Sequence, residues 1–186
     1  MLVQGHHFPH VTLVGVVNAD LGIGMPDPRA AERWRQQLAQ IVGRAGRGKL
    51  PGRVIVQTRA PDAPWLADAL RRPFLELLRE ELALRKELRL PPYARCVRVL
   101  FEARKPSLAA DAAASFARRA RALLRGVDVA GPARCAVERI EGRWRYEVVL
   151  RDPTRRCLPW GLAPLLQEDA PPQLRRRVDV DPVDWI

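Results

Sequence analysis

The chain has 186 residues and a formal net charge of +11, from 32 Lys and Arg against 21 Asp and Glu, and 47% of its residues are apolar. That length accommodates one ordinary domain or two small ones with a buried core, which excludes wholesale disorder, and no apolar run approaches the roughly 18 residues that cross a bilayer. Arginine outnumbers lysine 29 to 3, and because a guanidinium fork suits phosphate the balance favours nucleic acid over an anionic membrane as partner.

Residues 11–17, Val-Thr-Leu-Val-Gly-Val-Val, predict a strand covered on both faces. After a Gly-, Pro- and Asp-rich loop over 20–28, residues 29–42 have helical composition with Ala31, Trp34, Leu38, Ile41 and Val42 on one side. A glycine-rich turn over 44–52 leads to a second buried strand at 53–57. Strand, crossover helix, strand is α/β grammar, but two strands do not make a stable doubly wound domain by themselves. Pro61, Pro64 and Pro73 punctuate a helical stretch over 64–90, where Leu75, Leu78, Leu82, Leu84 and Leu88 alternate with charges to give a nearly neutral amphipathic helix bridging two domains. From Tyr93 onward the pattern predicts a strand at 95–103, a helix at 107–124 with Ser107 as N-cap and Gly126 past its end, strands at 133–140 and 143–150 around the turn dipeptide Glu141-Gly142, a short helix at 158–167 and a closing strand at 177–181. This β-α-β-β-α-β order is the split βαβ, ferredoxin-like plan, whose open sheet face often binds nucleic acid. The predicted organisation is therefore three segments, 1–60, 61–92 and 93–186, and the net charge divides as +5 over residues 1–60, +1 over 61–95 and +5 over 96–186.

The first ten residues contain three His and no Lys or Arg, unlike a secretory leader. Cys96, Cys135 and Cys157 are odd in number and widely spaced, with no C-x-x-C, and read as reduced residues of a cytoplasmic protein without a zinc or disulfide role. His6 and His10 would share a face only on a helix, which Phe8-Pro9 breaks, so no metal site is expected.

Residues 43–49 nearly match the phosphate-binding P-loop, with Gly43, Gly48 and Lys49 at the required positions. Leu50 offers no hydroxyl to Mg²⁺, the stretch follows a helix and not a strand, and Pro51-Gly52 forbids the helix that would hold the phosphates. Read from Gln40, the same stretch is Q-x-x-G-R-x-G-R: Gln40, Gly43, Arg44, Gly46, Arg47. Glycines at this spacing allow a tight turn, and two guanidiniums can reach the γ-phosphate of a nucleotide. Arg143-Trp144-Arg145 on a predicted strand places both arginines on one face and the indole on the other, as a phosphate contact or as a solvated basic strand over a core Trp. The clusters at Arg118, Arg119, Arg121 and Arg125 and at Arg175, Arg176 and Arg177 carry the same two alternatives. No Ser/His/Asp, Cys/His or paired-carboxylate constellation supports an independent hydrolase.

The pattern from Gln40 to Arg47 resembles motif VI of superfamily 2 helicases. Gly5-His6-His7-Phe8-Pro9, the following apolar strand and Asp20, then Arg29-Ala-Ala-Glu-Arg33, the segment 52–58, Leu90-Pro91-Pro92, Gly142 to Arg145 and Asp179-Val-Asp-Pro182 continue in the order of one family. On these matches the whole chain resembles the C-terminal part of the PriA replication-restart helicases, the primosomal protein N-prime family. Gln4 departs from that family, which commonly has a basic residue there, and one phosphate or DNA contact is in doubt.

The resemblance implies a partial RecA-like second helicase lobe followed by an S10-like C-terminal domain, with Met1 at the place of the motif V methionine and the chain beginning inside the lobe. It implies that Arg44 and Arg47 act on ATP phosphates with Gly43 and Gly46 shaping the turn, that Gln40 couples nucleotide to DNA, and that Gly5, His6, His7, Arg143, Trp144 and Arg145 contact DNA. ATP, Mg²⁺ and zinc are bound in the family mainly by regions this chain does not carry, so the chain alone is expected not to hydrolyse ATP. Branched or forked DNA, single-strand-binding protein and other primosome proteins are the implied partners, in a cytoplasmic, nucleoid-associated setting. The alternative is a standalone, non-enzymatic module that binds DNA or the primosome.

Overall fold

A computed structural model describes residues 11–21, 23, 27, 29–43, 45, 51–154, 158–167 and 170–183. It is a mixed α/β structure with two sheets, and it divides into two units, Met1–Ala83 and Leu84–Ile186.

In the first unit, β1 (Leu13–Val16) and β2 (Arg53–Val56) pair in parallel, with Leu13 opposite Arg53 and Val16 opposite Val56. Parallel strands require a crossover, here α1 (Ala30–Val42). Trp34 and Leu38, one helical turn apart on α1, are buried with Ala19 and Leu66, and Val16, Val56 and Trp65 pack against them. The Trp34 indole N–H donates to the Ala19 carbonyl at 2.6 Å, and the Trp65 ring meets Trp34 edge to face with centroids 4.8 Å apart.

The expectation that both strands are covered on both faces is not met. Leu13 is 58% exposed and Ile55 53%, while Val14, Val16, Val54 and Val56 are half-buried. With two strands and one packed face, side chains of alternate parity stay in solvent. Of the predicted α1 stripe, Val42 is exposed, because it lies at the helix end beyond the packed turns. The stretch predicted over 64–90 is two helices, α2 (Pro64–Arg71) and α3 (Phe74–Glu87), separated at Arg72-Pro73, where proline cannot continue the first ladder. The leucine stripe of α3 is also revised: Leu75, Leu82, Leu84 and Leu88 are exposed, and Leu77 and Arg85 are the buried residues. No helix among the described residues is long and apolar enough to cross a membrane.

The second unit has β3 (Arg95–Ala103), α4 (Pro106–Leu123), β4 (Asp128–Ile140), β5 (Arg143–Asp152), α5 (Leu158–Leu166) and β6 (Leu174–Val180). The sheet order is β4-β5-β3-β6 with every pair antiparallel, which is the split βαβ arrangement. Val97, Val99, Phe101 and Ala103 face the core on β3, joined by Val148 and Leu150 of β5 and by Ala109, Ala113, Phe116, Ala117 and Ala120 of α4. Alanines along one face let α4 settle closely on the sheet, and Phe116 fills the space they leave, with its ring 5.5 Å from that of Phe101. Gly161 of α5 lies against the Leu124 side chain, where a Cβ would come within 2.3 Å of Cδ2. Asp152, fully buried, accepts hydrogen bonds from Thr154 N at 2.9 Å, Thr154 Oγ1 at 2.7 Å and Leu158 N at 3.1 Å, and so caps the first residue of α5.

Three local expectations change. Ser107 is not the N-cap of α4; Lys105 holds that position with no side-chain cap, and Pro106 begins the helix. β4 starts at Asp128 and passes through a bulge around Gly131 and Pro132, which apolar periodicity does not reveal. The sheet face away from α4 is not open along β3, since Cys96, Arg98 and Leu100 are each at most 5% exposed. The Glu141-Gly142 turn conforms to expectation, with φ of 48° and 77°, both in the left-handed region that two-residue hairpins use.

Candidate nucleic-acid interface

The predicted site residues of the first unit fall partly outside the described residues: Gly5, His6, His7, Arg44, Gly46 and Arg47 lie there. Gln40 is exposed in the last turn of α1, and Gly43 is the C-cap, its N–H donating to the Ala39 carbonyl at 3.0 Å. α1 thus ends at Gly43, where carbonyl oxygens and the negative end of the helix dipole point outward. Such an end repels phosphate and offers no cradle of its own.

The strand ends of this unit are clasped by Asp20. Its carboxylate accepts from Thr58 Oγ1 at 2.6 Å and from the Arg59 N–H at 2.8 Å. The Thr58 hydroxyl, then the Arg59 amide, hold the Asp20 carboxyl below the ordinary aspartate range. A depressed folded-state value means that this clasp contributes fully above about pH 4, the unfolded aspartate range, and is lost as pH falls through the lower folded value. Thr58→Val is expected to move the Asp20 titration up toward its unperturbed position, read by carboxyl-carbon NMR; an unmoved titration would show that Thr58 does not set it.

In the second unit the predicted trio on β5 is split by its surroundings. Arg143 and Arg145 share the face away from α4 and Trp144 points to the other, as the pairings of Trp144 with Ala103 and of Arg145 with Glu102 require. Arg145 is 4% exposed; its Nε lies 3.2 Å from Glu102 Oε1 as a charge contact without hydrogen-bond geometry, and its NH1 donates to the Val137 carbonyl at 3.4 Å. Arg145 is therefore engaged within the sheet. Trp144 is half-buried with the Arg139 guanidinium 5.5 Å from its ring centre. Arg143 is half-exposed and lines a cavity at that end of the sheet, together with Arg104 and Lys105, two cations that no motif singled out. The basic run leading into α4 was the available sequence signal, but nothing local ties it to Arg143, some forty residues away.

The remaining basic clusters divide in the same manner. Arg121 donates to the carbonyls of Val129 at 3.2 Å and Gly131, whereas Arg118 and Arg125 are exposed. Arg176 donates to the Leu166 carbonyl, while Arg175 and Arg177 are exposed on the opposite face of β6. Burial pushes the Cys96 and Cys135 thiols up to about 11.

Residues 86–183 match the family model described as the primosomal protein N C-terminal domain. The chain is 38% identical over 186 residues to the replication restart protein PriA of Treponema pallidum, covering 99% of this chain and 28% of that protein. It is 35% identical over 187 residues to the protein of the same name from Haemophilus influenzae, covering 99% and 26%, and 36% identical over 153 residues to that of Bacillus subtilis, covering 81% and 19%. The chain thus spans about a quarter of the length of the first two curated relatives.

Proposed function

This chain belongs to the family of the primosomal protein N C-terminal domain, and from that premise we propose that it works as the C-terminal portion of an ATP-dependent 3′-to-5′ DNA helicase acting in replication restart. In this reading β1, α1 and β2 are part of a RecA-like second lobe, and Arg44 and Arg47, which follow α1 in the chain, act on the γ-phosphate of ATP. Charge that develops there during phosphoryl transfer is what such guanidiniums stabilise, and Gln40 relays the nucleotide state to DNA. The phosphate cradle and Mg²⁺ ligands belong to another part of the helicase, in keeping with the helix C-terminus that precedes these residues in the chain. The second unit binds branched or forked DNA through its free arginines, and single-strand-binding protein and other primosome proteins are its protein partners.

The observation that carries this reading is the presence in one chain of the Gln40 to Arg47 pattern and of a separate sheet with uncompensated cations at one end. The purified 186-residue chain is expected to bind DNA with an affinity that falls by roughly 0.9 log units per log unit of salt for each duplex phosphate neutralised, and to show no DNA-stimulated ATP turnover. Salt-independent binding would remove the phosphate contacts from this account, and ATP turnover by the chain alone would overturn the assignment of the cradle elsewhere. The standalone-module alternative draws support from the self-contained core of the second unit. Limited proteolysis that leaves residues 84–186 intact and fully competent for DNA would favour it.

A further inference from the structure

We infer that the cavity at the end of the second-unit sheet is a binding site for one unpaired nucleotide of single-stranded DNA, its phosphate held by Arg104, Lys105 and Arg143; this rests on the DNA-binding reading above and gives it a location. The cavity has a volume of about 660 Å³, with Leu108, Pro172 and Gln173 completing its lining. That volume is in the range of roughly 300–1,000 Å³ typical of small-ligand sites.

Sheet register builds the cavity. Ala103 of β3 lies opposite both Trp144 of β5 and Leu174 of β6. The residues just past Ala103, just before Trp144 and just before Leu174 therefore meet at one end of the sheet: Arg104 and Lys105, Arg143, and Pro172 and Gln173. Among the described residues, none of the three cations has a carboxylate within ion-pair distance. Other arginines of this unit are already engaged, Arg98 with Glu147, Arg145 with Glu102 and Arg151 with Asp128. Three like charges gathered without internal compensation focus a positive field into a concave surface, which attracts an anion.

The other lining residues select among anions. Leu108 and Pro172 supply apolar surface for a base or sugar, and the Gln173 amide carries both donors and an acceptor for a base edge. A paired, stacked base would have to leave its duplex to enter, at a cost in stacking that a single strand does not bear. The uncapped first turn of α4, which follows Lys105, adds backbone N–H donors at the same end, although the cavity and its three cations carry the inference.

The test titrates the full chain with a short oligothymidine carrying either a 5′-hydroxyl or a 5′-phosphate, with inorganic phosphate as a third arm. The amide NMR signals of Lys105, Leu108 and Gln173 are expected to shift with the oligomers. The R104A/R143A variant is expected to bind about tenfold more weakly, with its salt slope reduced by roughly 0.7 or more, the single-strand value for one phosphate. The charge-matched R79A/K86A variant on α3 is expected to change affinity by no more than about twofold, as nonspecific electrostatics would predict. Equal affinity for the two oligomers assigns the contact to a backbone phosphodiester, and preference for the phosphorylated one to a terminal phosphate; both support the site. Equal losses in the two variants, or inorganic phosphate binding as tightly as the oligomers, would overturn the site and leave the DNA-binding reading standing. Failure of the wild-type chain to bind any oligomer would overturn both.

Discussion

Replacing Glu147 with alanine is expected to destabilise the second unit by about 3 kcal/mol, the low end of the cost of leaving a buried charge without its partner. Arg98 is 5% exposed on the central strand β3, and its Nε donates to Glu147 Oε2 on β5 at 2.6 Å. Removal of the carboxylate strands the guanidinium in a region that water does not reach. Glu147 is itself one-fifth exposed, and Arg98 also contacts the Cys135 sulfur, which is why the lower end applies. For a domain of about 100 residues, this loss corresponds to a fall in Tm of roughly 12–24 °C. The double variant R98M/E147L removes both charges and is expected to lie within about 1 kcal/mol of wild type, because the desolvation penalty disappears together with the attraction. Amide hydrogen exchange at Val148 and Leu150, in the adjacent core, reads the second unit specifically. If the single and double variants lost equal protection, side-chain packing and not the ion pair would be the source of the stability.

Gly131→Ala is expected to cost a similar amount, about 3 kcal/mol, by a different mechanism. Gly131 has φ of +97°, a conformation that residues with a Cβ rarely adopt. A Cβ there would sit 2.7 Å from the Glu147 carbonyl oxygen and 3.2 Å from Ala133 N, both backbone atoms that cannot rotate away. The register of β4 against β5 shifts between Ala130 and Ala133, so the glycine is where the strand takes up its extra residue. Gly126→Ala is the internal control: its φ is +78° with nothing within 4 Å of the added Cβ, so it bears conformational strain without the clash and is expected to cost about 1 kcal/mol. Equal costs at the two positions, measured by denaturant unfolding of the full chain, would show that close approach to β5 is unimportant.

Much of the second unit was legible along the chain because its signals are local. The strand over 95–103 and the turn at Glu141-Gly142 follow from β-branched alternation and from two residues suited to positive φ. The helix over 107–124 was legible for the same reason, although its cap was not: Pro106 at the first position outcompetes a serine one residue later. The leucines of α3 misled because amphipathicity records which side chains could be buried, while actual burial depends on a partner surface; Leu77 has one and Leu75 does not. The bulge in β4 was illegible because an inserted residue changes the parity of the side chains after it without changing composition.

The candidate site divides along the same line. By itself, the sequence determined the local order of elements, the excess of guanidinium charge and the family pattern from Gln40 to Arg47, since each resides in neighbouring residues. Only the tertiary structure decided which of those charges are free. Arg143 and Arg145 are two residues apart and of the same kind, yet Arg145 lies opposite Glu102 and is buried, while Arg143 opens into a cavity beside Arg104 and Lys105. Cross-strand register sets that difference, because the interaction energy of a charge depends on what stands within a few ångströms in space and on how much water remains between them.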